Sequence, residues 1–494
     1  MNLRRAASLM DAQAVGVRAE LFDNEIKGYS IDSRSTGAGE LFFALSQEDY
    51  ARAGFNGEFA DGHLFIPEAF ERGAIAAVAR RERVEADEKL LAMRDRLLLV
   101  DDAIAALQLL AHKVYEAWDR TVVGITGSAG KTTAKELTAH ILSSAGRRVL
   151  KSERNYNNGL GLPLSVLQMV SDGHTPEDYD VAVLEMGMSS PTHEIERLCK
   201  ITPPDIGVEL LVAPVHLEYL GTIENIANAK AELVEGLKPE GVAVLNADDK
   251  HVIAMRGRHK GRTLTFGLKN MADVMAADVE TGDLGLSRFR LCTPMGEAVA
   301  ELALPGRHNL MNALAAVAVA ICFGIGPEEI AEALRTATPP KMRGEVLDFA
   351  AGFTVVDDSY NSNPRSLLSI VRTISESSGD ALRRIVIAGE MLELGPESAE
   401  MHREAGREIA RLKIDMLWGV RGLAEEMVEG AREAGMGADR ARFFNSSEEA
   451  AAVFLDEVRA GDLVLVKGSR GVQTDRVVQA LRERYALAGG DERV

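Results

Sequence analysis

Ten residues, Gly124-Ile125-Thr126-Gly127-Ser128-Ala129-Gly130-Lys131-Thr132-Thr133, constrain this chain more than any other stretch. An apolar run from Thr121 to Ile125 leads into them, and a helical pattern with Leu137, Ile141 and Leu142 follows. Strand, glycine-rich turn and helix in that order are the setting of a phosphate-binding loop. Gly127 and Gly130 can take positive φ, so successive N–H groups of the loop, Ser128 and Ala129 included, can curl round an anion. The free N–H groups of the following helix, from Thr132 and Thr133 onward, add to that attraction. Lys131 is placed to reach the β- and γ-phosphates of a nucleotide, and the Thr132 hydroxyl to sit on Mg²⁺. The loop is short. The first glycine of the common G-x-x-x-x-G-K-[ST] pattern would fall at Ile125, and Gly127 stands further in.

The 494 residues exceed one ordinary core and suggest about three domains. A formal charge of −19 argues against a general nucleic-acid binder, which needs a basic face. It leaves room for anionic small ligands held by local Lys and Arg. Cys199, Cys292 and Cys322 lie far apart without metal-ligand spacing, which reads as reduced thiols in a cytoplasmic protein. Met1 to Glu20 lacks the apolar core of a signal peptide. The most apolar run, Ala313 to Ile325, is too short to span a bilayer and reads as a buried helix, so no membrane insertion is expected.

Residues 1–118 read as a small mixed α/β unit, with a strand after the turn at Gly39, a short helix from Ile66 and a strand from Ile75 to Ala79. Ser33 and Arg34 offer a phosphate ligand, although a solvated turn is the plainer reading; His63 reads as a turn residue. Residues 119–341 form a second unit opened by the glycine loop. Asn155 to Pro163 is dense in Asn and Gly, with Asn157 and Asn158 suited either to gripping a polar ligand or to a solvated turn. Asp180 to Glu185 is a strand ending in a carboxylate, where α/β sheets place ligands and where Mg²⁺ can be held. His216 follows the strand Ile206 to Val212, and Lys230 sits on the helix Asn225 to Leu237. Ala276 to Leu304 alternates as antiparallel hairpins. Pro339-Pro340 marks a boundary, and residues 342–494 alternate strand and helix as a second, mainly parallel sheet. Its strand ends carry Asp358 to Pro364, Gly389-Glu390 and Lys467 to Arg470.

These segments together resemble the Mur ligases of peptidoglycan precursor synthesis. The matching segments are Thr126 to Thr132, Glu185-Met186-Gly187, His216-Leu217-Glu218 and Ala229-Lys230-Ala231-Glu232, with His308-Asn309, Asn312, Arg343 and Asp358. Tyr360-Asn361-Ser362-Asn363-Pro364 and Lys467-Gly468-Ser469-Arg470 are similar to the member that adds a dipeptide, and Asp32-Ser33-Arg34 and Asp61-Gly62-His63 to its N-terminal domain. Two stretches depart from the family pattern: Glu209 to Pro214 is more apolar, and Ser189 to His193 differs in composition.

The resemblance implies an α/β chain of three domains. These are a UDP-sugar-binding N-terminal domain (1–118), a central P-loop ATPase-like parallel-sheet domain (119–341) and a C-terminal Rossmann-like domain (342–494) that binds the incoming dipeptide. It implies a cytoplasmic, monomeric ligase. ATP would activate the terminal carboxylate of UDP-N-acetylmuramoyl-tripeptide as an acyl phosphate, which the amine of D-alanyl-D-alanine then attacks. Lys131, Lys230 and His216 would be catalytic. Thr132, Glu185, His216 and a carbamylated Lys230 would hold two Mg²⁺ ions. Asn309, Arg343 and Asp358 would join the loop, Gly127 to Thr133, in holding ATP. Ser33, Arg34, Asn157, Asn158, Tyr360, Asn361, Asn363, Lys467 and Ser469 would meet the other substrates. A ligase of the same type with another amine acceptor, glutamate on folate included, and a nucleotide-driven switch stay open as alternatives. The accepted amine, or turnover without one, tells them apart.

Overall fold

The computed structural model describes residues 1–488 except 56, 154, 189–192, 215–219, 283, 285 and 378–380. Three sheets follow one another along the chain. The first has four parallel strands in sequence order: Gly28–Ser30, Glu40–Phe43, Ala76–Arg80 and Leu97–Val100. The helix Ala103–Trp118 follows it, with Ala103, Leu107, Leu110, Ala111, Val114 and Trp118 buried at three- and four-residue spacing. Its apolar residues join one continuous core with Leu41 and Phe43 of the first sheet and Leu162, Val166 and Leu184 beyond.

The second sheet has nine strands. Running from one edge they are Gly296–Leu302, Ser287–Thr293, Val274–Thr281, Arg262–Gly267, Val242–Asn246, Ile206–Glu209, Thr121–Thr126, Val181–Glu185 and Val149–Lys151. Ser287–Thr293 pairs antiparallel with both Val274–Thr281 and the edge strand Gly296–Leu302, as the alternating pattern predicts. Val274–Thr281 pairs parallel with Arg262–Gly267, so the hairpins extend the parallel sheet rather than forming a separate one. The apolar run seen in the sequence is the helix Arg307–Cys322, buried from Leu310 to Ile321 save Met311, and it packs on the loop helix Lys131–Ser144. It is apolar on every side because neighbours surround it.

The third sheet runs Glu345–Asp348, Thr354–Asp358, Asp462–Lys467, Arg383–Gly389, Met416–Val420, Ala441–Phe444. Among the described residues of this sheet, only Glu345–Asp348 pairs antiparallel. Apolar cores lie on both faces, one around Val386 and Leu465, the other around Trp418 and Val464. The helices Ser398–Arg411 and Ala424–Glu433 cross so closely that a Cβ on Gly430 would stand 2.0 Å from the Arg403 carbonyl oxygen. Among the described residues no helix is long and apolar enough to cross a membrane.

Candidate active site

Thr121–Thr126 delivers the glycine loop to the carboxyl edge of the second sheet, where open α/β sheets bind ligands. Gly130 has φ +87°, and a Cβ there would lie 2.3 Å from Asn312 Oδ1. Gly127 has φ +153°, and its Cβ would lie 2.8 Å from Leu210 Cβ. Both glycines are thus fixed by backbone conformation and by close approach. The Ser128 N–H donates to the Leu211 carbonyl at 2.8 Å, and its hydroxyl accepts from the Ala213 N–H at 2.9 Å, which ties the loop to the neighbouring strand end. Lys131 Nζ donates to the Gly127 carbonyl at 2.9 Å, and desolvation holds its pKa below the usual lysine value.

Beneath the loop Glu185 is 4% exposed. Its Oε2 accepts from the Thr132 hydroxyl at 2.8 Å and its Oε1 from Asn157 Nδ2 at 2.9 Å. The Asn157 carbonyl accepts the Gly187 N–H at 2.6 Å, so Asn157 is pinned from both sides. Asn158 instead closes the turn that leads into the helix Gly161–Leu167, its Oδ1 accepting from the N–H groups of Leu160 and Gly161. A carboxylate and a hydroxyl meeting beside a glycine loop are hard oxygen donors, a set that suits Mg²⁺.

The opposite wall comes from the third sheet and the linker before it. Lys467 Nζ, almost fully buried, donates to Asp358 Oδ2 at 2.5 Å and to the Asn361 carbonyl at 2.9 Å. The Arg343 guanidinium lies 4.1 Å over the Tyr360 ring, a cation–π contact that makes a flat platform. Asn363 caps the helix Pro364–Glu376 reciprocally with Ser366. From the second sheet's side, Asn309 Nδ2 donates to the Pro305 carbonyl at 2.7 Å, and burial drives His308 down to about 4, so it is neutral at pH 7.

One cavity of about 180 Å³ collects these groups. It is lined by Ser128 to Thr133, Asn155, Asn157 and Glu185, by His308, Asn309 and Asn312, and by Arg343, Asp358, Tyr360, Asn361, Asn363, Ser366 and Lys467. Several sequence candidates do not line it. Gly127, the buried first residue of the loop, does not, and buried Ser469 accepts the Leu392 N–H at 3.0 Å. Ser33 donates to Glu68 at 3.1 Å, and exposed Arg34 forks onto Asp32 at 2.8 and 2.9 Å. His63 is a buried structural residue that contacts Asp61 and accepts the Arg80 N–H. His216 lies outside the described residues.

Lys230, 2% exposed, sits behind the loop on the helix Ile223–Glu235, and burial lowers its pKa, Lys131 adding to the effect. Glu209 faces it electrostatically and was missed as a site residue; burial raises its carboxyl. Its signal in the sequence is a lone charge inside the apolar run Ile206 to Val212.

Comparison with known proteins agrees with this architecture. Residues 125–320 match the Mur ligase middle domain and 342–470 the Mur ligase glutamate ligase domain. The chain belongs to the Mur ligase family. A Bacillus subtilis UDP-N-acetylmuramoyl-tripeptide–D-alanyl-D-alanine ligase is 33% identical over 93% of each chain. A crystal structure of MurF from Acinetobacter baumannii superposes with a TM-score of 0.82 at 28% identity, covering 98% of each chain. MurF from Thermotoga maritima, solved in complex with ADP, gives 0.76 at 28% identity over 93% of this chain and 98% of its own.

Proposed function

We propose that this protein is the ATP-dependent ligase that joins UDP-N-acetylmuramoyl-tripeptide to D-alanyl-D-alanine in peptidoglycan precursor synthesis. The observation that carries this is the Thr132–Glu185 contact beneath the Gly130-Lys131 turn, in a cavity whose far wall is the Asp358-to-Asn363 segment with Lys467. Named relatives of the same length and fold support it.

A carboxylate is a poor electrophile and does not condense with an amine unaided. In the proposed reaction its oxygen attacks the γ-phosphorus of ATP and ADP leaves. The dipeptide amine then attacks the acyl phosphate carbonyl, loses a proton and expels phosphate. Lys131 and the loop N–H groups stabilise charge on the phosphoryl group in transfer. Lys131 leaves its Gly127 contact to do so. Thr132 and Glu185 would hold one Mg²⁺, with Asn157 fixing the Glu185 carboxylate. His216 and a carbamylated Lys230 would hold a second; burial supports carbamylation because that reaction needs an uncharged amine. Bound Mg²⁺ supplies charge neutralisation at the phosphates and the carboxylate. Asn309, Asp358 and the Arg343–Tyr360 platform position the nucleotide. Asn361, Asn363, Lys467 and Ser469 shape the acceptor side, while Ser33, Arg34 and Asn158 belong to the nucleotide-sugar side. The three units divide near 118 and 341, act in the cytoplasm and work as a monomer.

The test is the purified chain with ATP and both substrates, with phosphate release and product mass followed together. Phosphate release that needs D-alanyl-D-alanine is expected. Equal release without any amine would replace the ligase reading with a nucleotide switch.

A further inference from the structure

Behind the glycine loop lies a group that the proposed chemistry does not use. Glu209 ends the strand Ile206–Glu209, is 0% exposed, and among the described residues neither carboxylate oxygen has a hydrogen-bond partner. Its register partner across the parallel pair is Thr126, the loop's first hydroxyl residue. Register partners on adjacent parallel strands share a face of the sheet. Thr126 is also 0% exposed, and among the described residues its Oγ1 has no partner. Three oxygens without donors therefore stand on one face, beside the loop.

The helix Ile223–Glu235 packs over both strands and brings Lys230 to that face. The charged groups that act on Glu209 are Lys230, Lys131 and Asp249. Asp249 is occupied: its Oδ1 accepts the His251 and Val252 N–H groups and its Oδ2 the Val212 N–H. Among the described residues, neither lysine approaches Glu209 closely enough to form an ion pair. Buried carboxylates normally have donors or a metal. Oxygens without donors are the type of ligand that a hard divalent cation takes, and this face can supply part of such a set.

We propose that Glu209, supported by Thr126, is an additional anionic ligand of the divalent cation held at Lys230. The proposal rests on the ligase reading. It gives this chain a fixed carboxylate at the second cation, alongside whatever Lys230 contributes.

The experiment is Mn²⁺ titration of the full chain with a non-hydrolysable ATP analogue, followed by electron paramagnetic resonance. The wild type is expected to bind two Mn²⁺. Glu209→Gln, which keeps the shape and removes the charge, should weaken one of them at least tenfold and leave analogue affinity unchanged. A Glu209→Gln isotherm equal to the wild type's, or a single Mn²⁺ in the wild type, overturns the proposal. Glu209→Asp, which retains the charge, should fall between the two and serves if Glu209→Gln does not fold. Failure of the ligase reading would appear separately, as turnover without the amine acceptor.

Discussion

Lys467 and Asp358 give the sharpest test of how the cleft's far wall is held. Lys467 Nζ is buried and bonds Asp358 Oδ2 at 2.5 Å and the Asn361 carbonyl at 2.9 Å. Lys467→Met leaves a carboxylate that is only 13% exposed without its cation. Removing one partner of a buried pair costs roughly 3–5 kcal/mol, and the cleft position of Asp358 puts this case near 3 kcal/mol. Asp358→Asn leaves an ammonium that still has the Asn361 carbonyl and should cost about 2 kcal/mol. The double variant removes both charges and should cost about 2–3 kcal/mol rather than their sum, a coupling of about 2–3 kcal/mol. Trp418, 0% exposed in the third sheet, reports on this unit in urea unfolding; Trp118→Phe silences the chain's other tryptophan. Additivity within about 0.5 kcal/mol would show that the pair is not what holds the wall.

Glu185→Ala removes the carboxylate that accepts from Thr132 and Asn157, and should lower kcat at least about 100-fold in the coupled ligase assay. Unchanged turnover would remove Glu185 from the chemistry. Gly430→Ala forces a Cβ to 2.0 Å from the Arg403 carbonyl and should destabilise the third unit by about 3 kcal/mol in the same Trp418 unfolding. Burial lifts the Asp357 carboxyl to about 6, above its unfolded value of 3.8. The folded state therefore binds that proton more tightly, and stability falls as pH rises from about 4 to 6. Asp357→Asn, whose amide oxygen can still accept from Ser359, should match the wild type near pH 4 and exceed it above pH 7 by up to about 3 kcal/mol, read from unfolding midpoints across that range.

The glycine loop was legible because its signals are local: an apolar strand, two glycines, Lys131, Thr132 and a helix lie within some twenty residues. The third sheet was legible because its strands alternate with helices, a pattern that five of its six strands follow in parallel pairing. Reading the first 118 residues by their turns passes over Leu3–Leu9, Leu97–Val100 and Ala103–Trp118, although the last has clear helical spacing. Ser33 and Arg34 resemble phosphate ligands in sequence, but Arg34 is taken up locally by Asp32, and Ser33 by Glu68, which only the tertiary fold brings near. Asn157 and Asn158 are adjacent and identical, yet one reaches Glu185 and the other closes the turn before a helix. Glu209 stood out only as an oddity, since the lysine it faces lies on a helix that packs over its strand from a later part of the chain.

The helix Ala103–Trp118 has a mechanical consequence. Its buried side chains belong at once to the core of the first sheet and to the core beside Leu162 and Leu184. Pulling those two parts asunder would expose one continuous apolar face to water, so they must travel as a single block. On either side of the passage through Pro339-Pro340 to Arg343 the buried cores are separate, with Leu284 packing across from the second unit, and Arg343 is this passage's contribution to the cavity. A small swing at that joint would change the distance between the glycine loop and Asp358, which line the same cavity. Crosslinks placed across the first seam should leave turnover untouched, while crosslinks across the second should throttle it.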